Sequence, residues 1–275
     1  MRWNMDVRRF VGGIKAGLGF LTTLPARADE ADFEAFMGHI YLFIIVGALI
    51  GLALGVLGFV SRWLLPVTLV PPLVIAFVYL LTGINHLDGL SDFGDGLIAS
   101  GTKEKKVSAM KDVHAGAGGI LFIGMDLLFL YATISLFAGF GAFHLLLGLL
   151  AAEVCAKVCM ATVAAFGESL GPGMGAMLIE KTKREHYMFG LAFAIVVCVA
   201  AAGLFAVLPG ARPNLPLYAL AGFLPVSVSA ALGLFIVDVA DRHFGGVNGD
   251  VMGAANEIGR VAALLVLGVL VWTLW

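Results

Sequence analysis

Three aspartates, Asp88, Asp92 and Asp95, fall within the stretch HLDGLSDFGDGL, residues 86–97, directly after a long apolar run. Their i, i+4, i+7 spacing predicts a helix that carries all three carboxylates on one face. Like charges gathered at the edge of a low-dielectric segment repel one another, so something cationic must compensate them. A hard divalent ion, most simply Mg²⁺, suits an all-oxygen donor set and keeps water or phosphate in its shell. Zinc would favour His and Cys, and no Glu follows at the twelfth place that an EF-hand requires. Leu87, Leu90, Phe93 and Leu97 alternate with the acids at helical spacing, which favours a helix over a solvated loop that merely carries acids. Gly89, Gly94 and Gly96 carry no side chains, so a ligand could approach this helix closely.

A second stretch, GDVMGAANEIGR, residues 249–260, places Asp250 and Glu257 at i and i+7 with Gly253 and Ala254 between. Two acidic helix faces from distant parts of the chain could meet around one or two ions. The plainer alternative is that Asp250 caps a helix and Glu257 lies on the surface. Between the two acidic stretches, KDVHAGAGGI, residues 111–120, combines Lys111, Asp112 and His114 with glycines whose backbone N–H groups could cradle an anion. Lys103, Lys105 and Lys106 could hold phosphates or simply mark the cytoplasmic side. His86, just before the acids, could donate to a phosphate or orient a metal-bound carboxylate. Glu153 and Lys157 are four residues apart inside an apolar run and read equally well as a buried ion pair or as a substrate contact.

These residues must be positioned by membrane-spanning helices. The chain of 275 residues is 60% hydrophobic and only 13% charged, against about 45–50% and about 25% in soluble domains. Seven runs approach the roughly 20 apolar residues that cross a bilayer: about 40–60, 67–86, 119–139, 143–166, 187–208, 217–238 and 259–275. Strand alternation is absent, which excludes a barrel. The fold class expected is all-α, a polytopic integral membrane protein forming one membrane-embedded domain over residues 1–275. Residues 1–30 read as an interfacial amphipathic segment, with Phe10, Ile14, Leu18 and Leu21 on one face. That segment lacks the continuous apolar core and cleavage site of a signal peptide. Lys and Arg concentrate in the N-terminal segment, in loops 87–118, 167–186 and 239–258, and at Arg260; the opposite side holds Arg62 and Arg212, and Lys157 falls within a span. That bias predicts a cytoplasmic N-terminus and a cytoplasmic site in the cell (inner) membrane. The net charge of −2 and the absence of a basic tail give no sign of a nucleic-acid partner. Cys155, Cys159 and Cys198 lie in apolar runs and read as small buried hydrophobes.

The acidic stretch also resembles a known signature. Gly83–Gly96, with His86-Leu87-Asp88-Gly89-Leu90-Ser91-Asp92 and Asp95, resembles that of the cobalamin synthase family, the adenosylcobinamide-GDP ribazoletransferases. Phe20-Leu21-Thr22-Thr23-Leu24-Pro25, the Gly47 to Gly51 region, Met110-Lys111-Asp112 with Gly116 and Gly119, and Gly249-Asp250 with Gly253-Ala254 and Glu257 match the family pattern in order and spacing. The chain departs from it with His114 where an arginine is expected, and with Arg260 where a second glutamate might follow Glu257. The resemblance implies transfer from adenosylcobinamide-GDP to α-ribazole or its 5′-phosphate, giving adenosylcobalamin or its 5′-phosphate and GMP, with Mg²⁺ as cofactor. On that chemistry Asp88, Asp92, Asp95, Asp250 and Glu257 are the expected metal ligands. Asp92 and Asp95 are the expected catalytic acids, with Asp95 preferred as acceptor of the ribose hydroxyl proton. His86, Lys111, Asp112 and His114 are the expected substrate contacts, and assembly into a homo-oligomer is left open.

Two other readings compete. A CDP-alcohol-type phosphotransferase also uses helix-borne aspartates, but Ser91-Asp92 stand where its motif needs Ala-Arg. A cation-coupled transporter would use acids near the midplane, whereas here they cluster at one face of the membrane.

Overall fold

The structure is a computed structural model and describes residues 6–208 and 215–274. Arg2 and Arg212 therefore lie outside the described residues. The described chain is all-helical: α1 (Val7–Leu21), α2 (Glu30–Met37), α3 (Tyr41–Leu64), α4 (Val70–Thr82), α5 (Asn85–Ile98), α6 (Lys103–Met110), α7 (Ala117–Phe140), α8 (Ala142–Phe166), α9 (Met174–Lys181), α10 (Arg184–Phe205), α11 (Leu215–His243) and α12 (Gly249–Leu274). Six of these, α3, α7, α8, α10, α11 and α12, are long and apolar enough to cross a membrane. Together they form a polytopic bundle.

The run expected at 67–86 behaves differently. α4 has 13 residues, about 20 Å at 1.5 Å per residue, which is short of a bilayer core of about 30 Å. It stops at Gly83, whose φ of 70° with ψ of −177° is a conformation that only glycine adopts readily. The chain then turns by 96° into α5. The carbonyls freed at the end of α4 are met by Thr23: its N–H donates to Leu81 O at 2.7 Å and its hydroxyl to Leu80 O at 2.7 Å. The acidic helix α5 thus turns away from the axis of α4 and packs against α12 and α7 instead of continuing it.

The expected loops are also more structured than the sequence suggested. Segment 87–118 contains most of α5, all of α6 and the start of α7. α9 lies within 167–186, and 239–258 shrinks to a five-residue connection, 244–248, between α11 and α12. Polar residues at the helix ends hid these elements from a hydropathy reading. The loops are knitted together by a parallel bridge between Ser169 and Val247, by Lys103 Nζ donating to Asp241 O at 2.5 Å, and by a Lys181–Glu34 ion pair at 3.7 Å.

The N-terminal segment packs against protein by its smallest residues. Gly12, Gly13, Ala16 and Gly17 are buried, while Phe10, Ile14 and Leu18 are half-buried. A Cβ on Gly17 would lie 2.5 Å from the Phe36 ring and 2.9 Å from Val46. At the centre, α8 is almost wholly enclosed. α3 lies on it along a glycine seam, where a Cβ on Gly51 would meet Leu150 Cα at 2.9 Å and one on Gly55 would meet Leu146 O at 2.7 Å. Such seams let backbones approach where lipid supplies no hydrophobic drive.

Candidate active site

α5 and α12 cross at glycines. A Cβ on Gly89 would lie 2.8 Å from Asp250 O, and one on Gly253 would lie 3.1 Å from His86 Cα. On the far side of α5, a Cβ on Gly94 would meet Gly118 O of α7 at 2.9 Å. The glycines of the acidic helix are thus consumed by neighbouring helices and not left open to a ligand, as their sequence pattern had suggested. The α5–α12 crossing has a chemical consequence: it sets Asp88 and Asp92 of α5 beside Asp250 of α12.

These three carboxylates face one cleft of about 480 Å³, whose wall also includes Ser91, Lys111 and Asp112. Asp88 and Asp250 in addition border a second cavity of about 300 Å³ that contains His86. Asp250 is not the cap of α12. Asn248 caps it, accepting from Val251 N–H at 3.1 Å, and its amide donates to Asp250 Oδ2 at 2.7 Å. Nothing in the sequence reading had singled out Asn248. Partial burial, then the charges of Asp88, Asp250 and Asp95, push the Asp92 carboxyl up to about 6. Among the described residues, no Lys or Arg forms an ion pair with Asp88, Asp92 or Asp250.

Asp95 is placed elsewhere, although it belongs to the same helix face. Its Oδ2 accepts from Gly116 N–H at 2.7 Å and its Oδ1 from Gly119 N–H at 2.9 Å. It therefore occupies the N–H groups at the start of α7, the groups expected to cradle an anion, and stabilises that helix end. Asp95, expected as the proton acceptor, does not line the cleft and has both its oxygens engaged by backbone N–H groups. Asp112 and His114 lie on the surface: the His114 N–H donates to Asp112 Oδ1 at 2.9 Å, with the ring Nδ1 at 3.0 Å. Those bonds hold the Asp112 carboxyl below its usual range. Lys106 Nζ donates to Leu97 O and Ala99 O at 3.1 and 2.6 Å, tying down the last turn of α5.

Glu257 is not with the aspartates. It lies in a buried cluster deep in the bundle, where Arg260 Nη1 and Asn256 Nδ2 donate to it and Tyr79 Oη lies 3.3 Å away. Arg260 also donates from Nε to Glu153 Oε1 at 2.5 Å, and Lys157 donates to Asn256 Oδ1 at 2.6 Å while lying 3.6 Å from Glu153 Oε2. Arg260 is 1% exposed, so it is not one of the cytoplasmic charges it was grouped with. Glu153 and Lys157 are the buried ion pair of the two alternatives, with Arg260 joining from α12. Asp126 of α7, 3.4 Å from Tyr79 Oη, completes the cluster. A lone carboxylate in an apolar run was the available signal for it.

The profile of the family described as "Cobalamin-5-phosphate synthase" matches residues 13–268. This chain belongs to that family. It is 51% identical to the adenosylcobinamide-GDP ribazoletransferase of Methanocella arvoryzae over 95% of this chain and 97% of that protein. It is 37% identical to the enzyme of the same name from Methanosarcina barkeri, over 93% of this chain and 91% of that one. The one from Halorubrum lacusprofundi is 34% identical, over 94% and 97%. No solved structure matches the chain.

The donor set fits a hard cation in chemical type: carboxylates without cationic partners, facing a polar cleft. Among the described residues no three Asp, Glu, His or Cys side chains are gathered closely enough to hold one ion by themselves. Mg²⁺ does not require that, because it usually takes one or two carboxylates and completes its shell with water and substrate phosphates.

Proposed function

We propose that this chain transfers the corrinoid phosphate of adenosylcobinamide-GDP to a ribose hydroxyl of α-ribazole or its 5′-phosphate. A ribose O–P bond forms, the P–O bond to the GMP unit breaks, and GMP leaves. The observation that carries this reading, within a family already assigned, is the cleft shared by Asp88, Asp92 and Asp250. Its three acids form no ion pair among the described residues and outnumber the one cation at the wall, Lys111, so they suit a ligand that brings positive charge.

Two of these carboxylates would hold Mg²⁺, which when bound supplies positive charge to the oxygens of the diphosphate. Asp88 and Asp250 border both cavities; of the two we take Asp88, on the acidic helix, as the acceptor of the hydroxyl proton. Lys111 at the cleft wall contributes charge toward the phosphates. The protein is a multi-pass membrane enzyme, and we take its acidic end as cytoplasmic in the cell membrane, on the bias of Lys and Arg to that end.

The test is release of the nucleoside monophosphate from detergent-solubilised protein, GMP from a GDP-linked donor against CMP from a CDP-linked one, with and without Mg²⁺. Release from the GDP-linked donor only, dependent on Mg²⁺, is expected. Release from a CDP-linked donor to an alcohol acceptor would replace this reading with the lipid-type phosphotransferase.

A further inference from the structure

The cavity of about 300 Å³ differs in kind from the cleft beside it. Four methionines, Met37, Met160, Met174 and Met252, line it together with Phe20 and Phe43. Its polar groups gather where α4 meets α5, at Thr82, Asn85 and His86, next to Asp88 and Asp250. It is roofed by α9, whose Met174, Gly175 and Leu178 face inward. A Cβ on Gly175 would lie 2.8 Å from Gly249 N, so the roof sits directly on the first residue of α12. The two cavities share one wall, made by Asp88 and Asp250.

We propose that this methionine-lined cavity is the acceptor subsite, which holds the flat aromatic base of the ribazole nucleoside and presents its ribose hydroxyl at Asp88. The inference rests on the transferase reading above and adds which side each substrate comes from. Thioethers and phenyl rings form favourable contacts with aromatic faces and adapt to their shape. The volume is at the lower end of the range for small-ligand pockets, roughly 300–1,000 Å³; it suits a nucleoside and excludes a corrin ring. Polar side chains of α4, α5 and α12 share the lining with the methionines and phenylalanines, which matches a ligand with an apolar base and a hydroxylated sugar. In-line displacement requires nucleophile and leaving group on opposite sides of the phosphorus. Two cavities that share the acidic wall, one lined mainly by apolar side chains and one mainly by polar ones, provide for that.

The test narrows the cavity in the full-length protein. Leu178→Trp, on the roof, should raise the KM for α-ribazole by at least about tenfold while leaving the KM for adenosylcobinamide-GDP within about twofold. If that variant fails to fold, Met174→Trp at the exposed edge of the same roof is read in the same way. A compact acceptor carrying an imidazole in place of the benzimidazole should regain part of the loss. Calorimetry of α-ribazole with the wild-type protein should show binding without the donor, weakened in the Trp variant. A rise in donor KM with acceptor KM unchanged would assign the cavity to the donor and overturn the inference while leaving the transferase reading intact. Absence of GMP release by the wild-type protein would remove that reading and the inference together.

Discussion

Two groups of ionisable side chains in this molecule invite comparison. The cluster deep in the bundle has partners of its own: Glu153 and Glu257 face Lys157 and Arg260, Asn256 bridges the two halves, and Asp126 joins at the edge through Tyr79. The cluster at the end of the bundle, Asp88, Asp92 and Asp250, faces a cleft and forms no ion pair among the described residues, with Lys111 only at the cleft wall. A buried charge set with internal partners holds helices in register, whereas acids held together without partners are an arrangement that a ligand must complete. The difference teaches that the acids buried deepest in the bundle are matched by cations of the fold, whereas those at the cleft form no such pairs.

The largest effect expected is on the deep cluster. Arg260→Met leaves Glu153 and Glu257 buried without their main counter-charge and should destabilise the protein by about 3–5 kcal/mol, seen as a lowered thermal midpoint in detergent. Asp88→Asn should do the reverse. GMP release should fall by at least about a hundredfold, as when a transition-state electrostatic contact is removed, with the midpoint unchanged. If the two variants behave alike, the division between structural and chemical acids is wrong. Next, Gly89→Ala forces a Cβ into Asp250 O, 2.8 Å away. It should lose about 1–3 kcal/mol as an overpacked contact and, by separating Asp88 from Asp250, more activity than that stability loss explains.

Asp95→Ala sharpens the contrast within a single helix face. It uncaps α7 and should cost about 1–2 kcal/mol, with turnover reduced far less than in Asp88→Asn. The smallest effect is a pH dependence. The Asp92 carboxyl, raised to about 6, is charged above that pH and protonated below it. Mg²⁺ binding, followed by calorimetry, should therefore weaken as pH falls through about 6, and Asp92→Asn should flatten that profile.

Much of this was legible in the chain. The helical spacing of Asp88, Asp92 and Asp95 predicted their common helix, and the GDVMGAANEIGR stretch pointed to Asp250, which lines the same cleft as Asp88 and Asp92. The reading failed where partners decide the role. Asp88 and Asp95 are the same residue type on the same face of α5, yet one faces two cavities and the other closes the start of α7. Glu257 and Asp250 share a helix, yet two turns of depth separate an ionic cluster from a cleft. Asp126 was overlooked because its apolar surroundings outweighed a single acid.

Hydropathy and periodicity are properties of one segment against its solvent, so the sequence by itself determined the membrane class, the approximate spans and the acid-bearing faces. Whether a carboxylate meets an arginine, an amide N–H or an open cleft is a property of two segments at once. That was decided only by where the glycines of α5 and α12 allowed the helices to cross.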